Sequence, residues 1–239
     1  MSSGTLYLIP STLGPGAIDT IPPRTLAAIR PLRHFVVETG KVARAFLKEV
    51  QLDHRLQECH YYELNKRTPD EALPALLEPA LAGQNVGLLS DAGAPGVADP
   101  GARLILLAHR HGVRVVPLVG PSAILLCLMA AGLNGQSFTF HGYLSPKRPQ
   151  LAKDLKRLEA ESRRHQQTQL WIEAPYRNQA TLEVAVEALA PSTLFSVAVD
   201  LTTETEWVRT AAISDWIGDD APAIGAGLQK RPAMFLLLA

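Results

Sequence analysis

The chain has 239 residues, of which 47% are hydrophobic, 19% are charged and 6% are aromatic. This apolar content excludes an intrinsically disordered protein, and the length suits one large domain or two domains of about 120 residues each. The 23 Lys and Arg residues balance 23 Asp and Glu residues, so no global positive field attracts nucleic acid or an anionic membrane. Any site for a polyanion must therefore be local.

The cysteines and the amino terminus predict a cytoplasmic protein. Cys59 and Cys127 form neither a CxxC pair nor a disulfide framework, as expected in a reducing compartment. The first four residues lack the basic end and the long apolar run of a signal peptide. The most apolar segment, Leu118 to Leu133, is interrupted by Gly, Pro and Ser and is too short to cross a bilayer.

Short apolar runs recur between helical stretches, and we predict each run to be a strand. The predicted strands are Thr5–Ile9, His34–Val37, Asn85–Ser90, Val113–Leu118, Ser137–His141, Gln169–Ile172 and Leu194–Val199. Continuous apolar strands that alternate with helices are typical of parallel sheets whose two faces are covered by βαβ crossovers. The pattern therefore predicts an α/β protein.

Two helices have clear end signals. Thr68-Pro69-Asp70-Glu71 offers an N-cap, a proline at the first helical position and a capping-box glutamate before an apolar stretch that ends at Leu81. The other helix follows Pro100 and ends at Gly112. After the fourth predicted strand, Val119-Gly120 is the predicted hinge, which gives domains of 1–119 and 120–239.

The segment Ser90–Gly101 carries the strongest functional signal. It is rich in Gly and Pro, so its backbone forms a surface with few side chains at the carboxyl end of a strand, where open α/β sheets bind ligands. An ordinary turn is equally consistent with its composition, and for Asp99 we expect only a turn-capping role. A second such loop, Ile9–Gly16, lacks the GxGxxG spacing of a dinucleotide site and the GxxxxGK[ST] spacing of a phosphate loop.

Several motifs, in order along the chain, resemble the tetrapyrrole methylase superfamily. They are Ser90–Gly101, Val115–Ala123, Ala131–Leu133, Phe140–Lys147, Glu173–Arg177 and Leu201-Thr202. Within the superfamily, they are most similar to the branch of ribosomal small-subunit RNA (cytidine-2′-O)-methyltransferases. The resemblance implies a homodimer of two-domain α/β subunits, each of which binds S-adenosylmethionine in a cleft between its domains.

The resemblance also implies which residues hold the cofactor. The matching positions are Pro10, Asp91, Gly93, Ala94, Val97, Ser122, Ala123, Ala174, Leu201, Pro232 and Ala233. Most of them are Gly, Ala or Pro, which suits a site that contacts its ligand through backbone groups and small side chains.

Some segments differ from this branch. Glu38-Thr39-Gly40-Lys41 stands where the family usually carries Glu-Asp-Thr-Arg, and Asp200-Leu201-Thr202-Thr203 stands where it carries Glu-Leu-Thr-Lys. Of the family's His-Asn-Glu pattern, only Asn65 is present, followed by Lys66, and the chain stops without the additional C-terminal segment of many members. A tetrapyrrole or another small metabolite is therefore an alternative acceptor. A cofactor-binding protein without turnover is a third alternative.

Two carboxylates are candidates for catalysis. Glu38, at the end of a strand, can accept the ribose hydroxyl proton during methyl transfer, or it can cap the following helix. Glu173 is the other candidate, and an ion pair with Arg177 is its alternative role. Because a methyl sulfonium is already reactive, alignment of donor and acceptor can supply much of the rate without a strong base. No ligand spacing predicts a metal site.

Charge is segregated along the chain. Between Lys147 and His165 there are seven Lys or Arg residues against three Asp or Glu residues. Such a basic helix can follow RNA phosphates, although a solvated helix with this charge is also common. The predicted acceptor-binding residues are Lys147, Lys153, Lys156, Arg157 and Arg177, and the predicted partner is 16S ribosomal RNA or the small ribosomal subunit, with no membrane.

Overall fold

The computed structural model describes residues 3–217 and 221–239. The chain divides into two compact units, Met1–Ser122 and Ala123–Ala239, and each is built around its own five-stranded sheet. Both units combine this sheet with helices, so the predicted α/β class is confirmed. The division falls just after the predicted hinge, Val119-Gly120.

The first unit alternates strands and helices. Its strands are Thr5–Ile9 (β1), His34–Val37 (β2), His60–Glu63 (β3), Val86–Leu89 (β4) and Arg114–Pro117 (β5), and its helices are Pro23–Ile29 (α1), Gly40–Val50 (α2), Leu73–Leu81 (α3) and Gly101–Arg110 (α4). The strand order is β3-β2-β4-β1-β5, and every pairing is parallel. Because β4 lies between β1 and β2, the loops that follow these three strands meet at one edge of the sheet.

Apolar side chains cover both faces of this sheet. Leu88 of β4 and Val36 of β2 pack in a cluster with Leu104 of α4. The neighbouring residues along the same strands, Leu89 and Phe35, point to the opposite face and join a second cluster. This burial on both sides explains why the central strands have continuous apolar sequences.

The second unit has a mixed sheet. Its strands are Phe138–Tyr143 (β6), Thr168–Glu173 (β7), Leu194–Val199 (β8), Trp207–Ala212 (β9) and Ala233–Leu238 (β10), and its helices are Ala123–Ala131 (α5), Arg148–His165 (α6), Asn178–Ala188 (α7) and Ala221–Gly227 (α8). The strand order is β6-β7-β10-β8-β9. Strand β10 is antiparallel to both β7 and β8, whereas β6 and β7 are parallel. In the core of this unit, Trp171 stacks on Phe235, and Phe195 packs at a tilt against both rings.

The structure corrects two of the predictions about strands. The expectation of parallel strands throughout is wrong for the second sheet, because helices cover strands of either direction and burial alone produces apolar runs. The other error is that β3, β9 and β10 are missing from the predicted strands. Strands β3 and β9 are edge strands without a fully buried residue, so neither has the apolar pattern of a central strand. Strand β10 is a buried central strand, and its apolar run was overlooked.

The predicted helix ends are correct in one case and wrong in the other. Gly112 follows α4 with φ of +68°, as a C-terminal glycine should. Thr68 does not cap the next helix, because its Oγ1 accepts a hydrogen bond from the Asn65 amide at 3.0 Å and α3 begins only at Leu73. Among the described residues, no helix is both long and apolar enough to span a membrane.

Candidate functional site

Two glycine- and proline-rich loops are joined at the carboxyl edge of the first sheet. Ser11, after β1, and Gly93, after β4, exchange two backbone hydrogen bonds, with N···O distances of 3.0 and 3.2 Å. The Ser11 Oγ donates to the Ser90 carbonyl at 3.1 Å, and the Ser90 Oγ donates to the Gly93 carbonyl, also at 3.1 Å. Both serines are buried. The two loops therefore form one fixed surface.

Gly93 is required by the backbone of this surface. Its φ is +72°, a conformation that residues with side chains rarely adopt. A Cβ at this position would lie 3.2 Å from Leu13 Cδ2 and 3.8 Å from the Pro121 carbonyl oxygen. The absence of a side chain thus lets the loops after β1, β4 and β5 approach one another closely.

Asp91 ties this surface to the loop after β2. Its Oδ1 accepts a hydrogen bond from the Thr39 amide at 3.1 Å, and its Oδ2 accepts one from the Thr39 hydroxyl at 2.7 Å. Both carboxylate oxygens are therefore already engaged by the protein. Sequence reasoning named Thr39 only as part of the segment that differs from the family and gave it no role, and its position two residues after a predicted strand is the other signal.

Glu38 lies beside Asp91 and is half-buried. Burial raises the pKa of the Glu38 carboxyl above its usual value, and the negative charge of Asp91 raises it further. An open pocket of about 460 Å³ is lined by Glu38, Thr39, Glu63, Asn65, Lys66 and Arg67. The pocket therefore combines a carboxylate of raised proton affinity with amide and cationic groups that can orient a polar ligand.

Asp99 has the turn-capping role that its sequence context predicts. Its Oδ1 accepts hydrogen bonds from the Gly96 amide at 2.8 Å and from the Gly101 amide at 2.7 Å. Burial raises the pKa of Asp99, while these two amides favour its charged form and oppose the shift. Asp99 thus holds the end of the loop at the start of α4.

Glu173 and Arg177 form a buried ion pair in the second unit. The Glu173 side chain is 0% exposed and that of Arg177 is 17% exposed, with an N···O distance of 2.5 Å. Glu173 also accepts hydrogen bonds from the Ala174 amide at 2.6 Å and from the Thr181 hydroxyl at 3.1 Å. Arg177 also donates to the Leu144 carbonyl at 3.3 Å. The alternative role of Glu173, the ion pair, is therefore present.

Predicted cofactor positions also cluster within the second unit. Ala233 is paired with Glu173 of β7 on one side and with Val199 of β8 on the other, so the residues that follow both strands adjoin it. Those residues include Ala174 and Leu201. The next side chain, Thr202, has φ of +73°, and its buried hydroxyl has no hydrogen-bond partner among the described residues. A buried unsatisfied hydroxyl is uncommon and suits a bound polar group.

The predicted cofactor positions fall into two groups. Pro10, Asp91, Gly93, Ala94, Val97 and Ser122 belong to the first unit, and Ala123, Ala174, Leu201, Pro232 and Ala233 belong to the second. The structure brings members together within each unit, and the predicted cleft between the domains stays a prediction. Among the described residues, no group of three His, Cys, Asp or Glu side chains is arranged to hold a metal ion.

Helix α6 presents the predicted basic surface. Leu151, Leu155, Leu158 and Ser162 form its buried face, and the opposite face exposes Lys153, Lys156 and Arg157. Arg157 pairs with Glu161 at 2.8 Å, and Arg148 pairs with Glu183 and Glu187 at 3.1 and 2.6 Å. Arg177 is not part of this exposed face, because its guanidinium is held by Glu173.

Comparison with known proteins identifies related sequences over most of the chain. A family model described as Tetrapyrrole (Corrin/Porphyrin) Methylases matches residues 5–216. The chain is 32% identical over 222 residues to Ribosomal RNA small subunit methyltransferase I of Escherichia coli O157:H7, which covers 92% of this chain and 74% of that protein. It is 35% identical over 208 residues to the protein of the same name from Mesorhizobium japonicum. This alignment covers 87% of this chain and 67% of that protein.

Solved structures share the fold at lower identity. The methyltransferase CobJ is similar with a TM-score of 0.62 and 21% identity, covering 98% of this chain and 94% of that one. Uroporphyrin-III C-methyl transferase from Thermus thermophilus, in complex with S-adenyl homocysteine, is similar with a TM-score of 0.54 and 17% identity, covering 98% and 97%. At these identities the likeness concerns the fold.

The ion pair of Glu173 generates a prediction about stability. We expect Glu173→Gln to lower the free energy of unfolding by about 3 kcal/mol, because it leaves the buried Arg177 charge uncompensated. Glu161→Gln is the matched control, since it breaks an exposed pair of the same spacing and is expected to cost about 1 kcal/mol or less. Urea unfolding followed by circular dichroism measures both, and equal losses would contradict a structural role for Glu173.

Proposed function

The chain belongs to the tetrapyrrole methylase family, and from this premise we propose that it is an S-adenosylmethionine-dependent methyltransferase whose acceptor is RNA. The proposed reaction is 2′-O-methylation of a cytidine ribose in 16S ribosomal RNA. The observation that carries this proposal is an identity of 32% and 35% to two proteins named Ribosomal RNA small subunit methyltransferase I. We further propose a cytoplasmic homodimer that acts on the small ribosomal subunit.

The residues present fit S-adenosylmethionine in two respects. In the first unit, the bridge between Ser11 and Gly93 fixes a loop that presents backbone rather than side chains. In the second unit, the unsatisfied Thr202 hydroxyl adjoins Leu201. The proposed cofactor-holding residues are Pro10, Asp91, Gly93, Ala94, Val97, Ser122, Ala123, Ala174, Leu201, Pro232 and Ala233. When bound, the cofactor supplies an electrophilic methyl group on a sulfonium.

Within this set, Asp91 acts by holding its loop in place. Both of its carboxylate oxygens accept hydrogen bonds from Thr39, so the side chain links the cofactor loop to the segment that carries Glu38. Glu173 has a corresponding positioning role in the second unit, because its carboxylate fixes the Ala174 amide.

We assign the proton transfer to Glu38. One of its carboxylate oxygens would accept the proton of the ribose 2′-hydroxyl as that oxygen takes the methyl group, while the sulfur of the cofactor would keep the electron pair of the broken carbon–sulfur bond and leave as a thioether. The raised pKa of Glu38 increases its affinity for that proton once the carboxyl is ionised. Asn65 and Lys66 line the same pocket and can hold the acceptor by hydrogen bonds and charge.

The acceptor itself is tested with small ribosomal subunits from a strain that lacks the related enzyme. Incubation with methyl-labelled cofactor is expected to place label on a ribose of 16S RNA. Because a methylated 2′-oxygen cannot attack the neighbouring phosphodiester, that phosphodiester bond should resist alkaline hydrolysis. No labelled RNA, together with intact cofactor binding, would reject the RNA acceptor. Because solved structures of similar fold include uroporphyrin-III C-methyl transferase, the same assay with a tetrapyrrole tests the second candidate.

Gly93→Ala tests the cofactor loop. The new Cβ would crowd Leu13, so we expect the affinity for S-adenosylhomocysteine to fall at least tenfold, or about 1.4 kcal/mol, in isothermal titration. Gly112→Ala is the matched control, because Gly112 has φ of +68° with open space around it. Both variants carry similar backbone strain, so equal affinities would remove this loop from the cofactor site.

Glu38→Gln tests the assigned base. Since only the ionised carboxylate accepts a proton, wild-type methyl transfer is expected to rise with pH through the raised pKa of Glu38 and then to level off. The variant should lose this acid limb and about a hundredfold in kcat, with unchanged affinity for S-adenosylhomocysteine. Glu78→Gln, an exposed carboxylate on α3, is the control. An acid limb that persists in Glu38→Gln would exclude this residue as the base.

The double variant Lys153→Glu, Lys156→Glu tests the basic face of α6. RNA methylation should weaken and cofactor binding should stay unchanged, because cations on this face neutralise phosphates. Wild-type RNA affinity should also fall steeply as salt concentration rises. The double variant Lys48→Glu, Arg110→Glu, at exposed positions of α2 and α4, has the same change in net charge, and an equal loss in that variant would indicate a nonspecific effect. Methylation of a small neutral acceptor would respond neither to charge reversal on α6 nor to salt concentration.

A further inference from the structure

Two exposed tyrosines lie at the carboxyl ends of neighbouring strands in the second unit. Tyr143 is the last residue of β6 and is 54% exposed. Tyr176, which is 77% exposed, belongs to the short 3₁₀ turn Pro175–Arg177 that follows β7. Neither ring is part of the apolar core described for this unit. Large aromatic rings usually contribute to stability by being buried, so the high exposure of Tyr176 in particular favours a role in binding.

The buried ion pair holds the two tyrosine segments together. Strands β6 and β7 are parallel, with Tyr143 opposite Ile172. Arg177, the residue after Tyr176, donates a hydrogen bond to the carbonyl of Leu144, the residue after Tyr143. Because Glu173 also holds the Arg177 guanidinium, at 2.5 Å, the ion pair links the two segments that carry the rings.

Basic residues follow Tyr143 along the chain. Lys147 is exposed four residues after Tyr143 and directly precedes α6, whose exposed face carries Lys153 and Lys156. None of the ion pairs found among the described residues involves these three lysines. Exposed rings beside cations are the combination that binds unpaired nucleic acid, because bases stack on the rings and phosphates pair with the cations.

We propose that Tyr143 and Tyr176 form a stacking platform for unpaired nucleotides of the RNA acceptor. This inference rests on the proposed RNA acceptor and adds the kind of RNA recognised, which is a single-stranded segment rather than a duplex. Tyr176 lies two residues after Ala174, a proposed cofactor contact, so the stacked base belongs to the methylated nucleotide or to a close neighbour. A second copy of the chain fits this face less well, because a symmetric contact would bring the same lysines together.

The test measures binding of the full chain to two fluorescein-labelled RNA probes, an unstructured strand of about ten nucleotides and a hairpin of the same base composition. Wild-type protein should prefer the single strand in fluorescence anisotropy. Tyr176→Ala should weaken single-strand binding at least about fivefold, whereas Tyr176→Phe keeps the ring and should bind normally. Phe138→Ala is the matched control, because Phe138 is a 38% exposed ring at the opposite end of β6.

A 2-aminopurine base in the single strand reports stacking directly through loss of its fluorescence. Quenching that is present in wild type and Tyr176→Phe but absent in Tyr176→Ala supports the platform, provided thermal unfolding of the variants is unchanged. If the alanine variant loses stability, Tyr143→Ala replaces it in the same assays. Wild-type affinity and quenching in the alanine variant would overturn the platform.

Two further outcomes separate this inference from the proposed function. If Tyr176→Ala changes the sedimentation coefficient while RNA affinity stays normal, the face belongs to a second copy and the platform is rejected. Methyl transfer to small subunits is measured separately on the wild type. Transfer without stacking rejects the platform alone, and stacking without transfer rejects the proposed reaction alone.

Discussion

The parallel pairing of β4 with both β1 and β2 is the constraint on which the first unit depends. A central strand with two parallel neighbours delivers three loops to one edge of the sheet, and two of these loops are rich in glycine and proline. Hydrogen bonds between Ser11 and Gly93, and between Thr39 and Asp91, then lock the loops together. The edge therefore presents loop backbone next to the half-buried carboxylate of Glu38, whose pKa is raised.

In the second unit, a buried ion pair holds the segments that follow the strands. The Glu173 carboxylate lies in the interior and is satisfied by a guanidinium, a backbone amide and a hydroxyl. Such a pair contributes little net stability relative to an apolar core. It does fix the positions of its two side chains, because a buried charge that loses its partner is strongly destabilising. Here the fixed geometry connects the end of β7 to the end of β6 and leaves aromatic and basic side chains on the outside.

Sequence reasoning identified the parts of this molecule whose signals are local. Strands such as β4 are buried on both faces, so their apolar runs are visible without the fold, and the glycine-rich loop follows directly from composition. Edge strand β3 has no such signal. The bond between Thr39 and Asp91 joins residues 52 positions apart, and no spacing rule connects them. The burial of Glu173 and the exposure of Tyr176 also depend on packing, and only the structure reveals them.

The position of β10 has a consequence for the order in which the chain folds. This strand, Ala233–Leu238, is the centre of the second sheet, and without it the sheet separates into the pairs β6-β7 and β8-β9. The first sheet, by contrast, is complete at Pro117. During synthesis, the first unit can thus form its whole sheet while the second still lacks its middle strand.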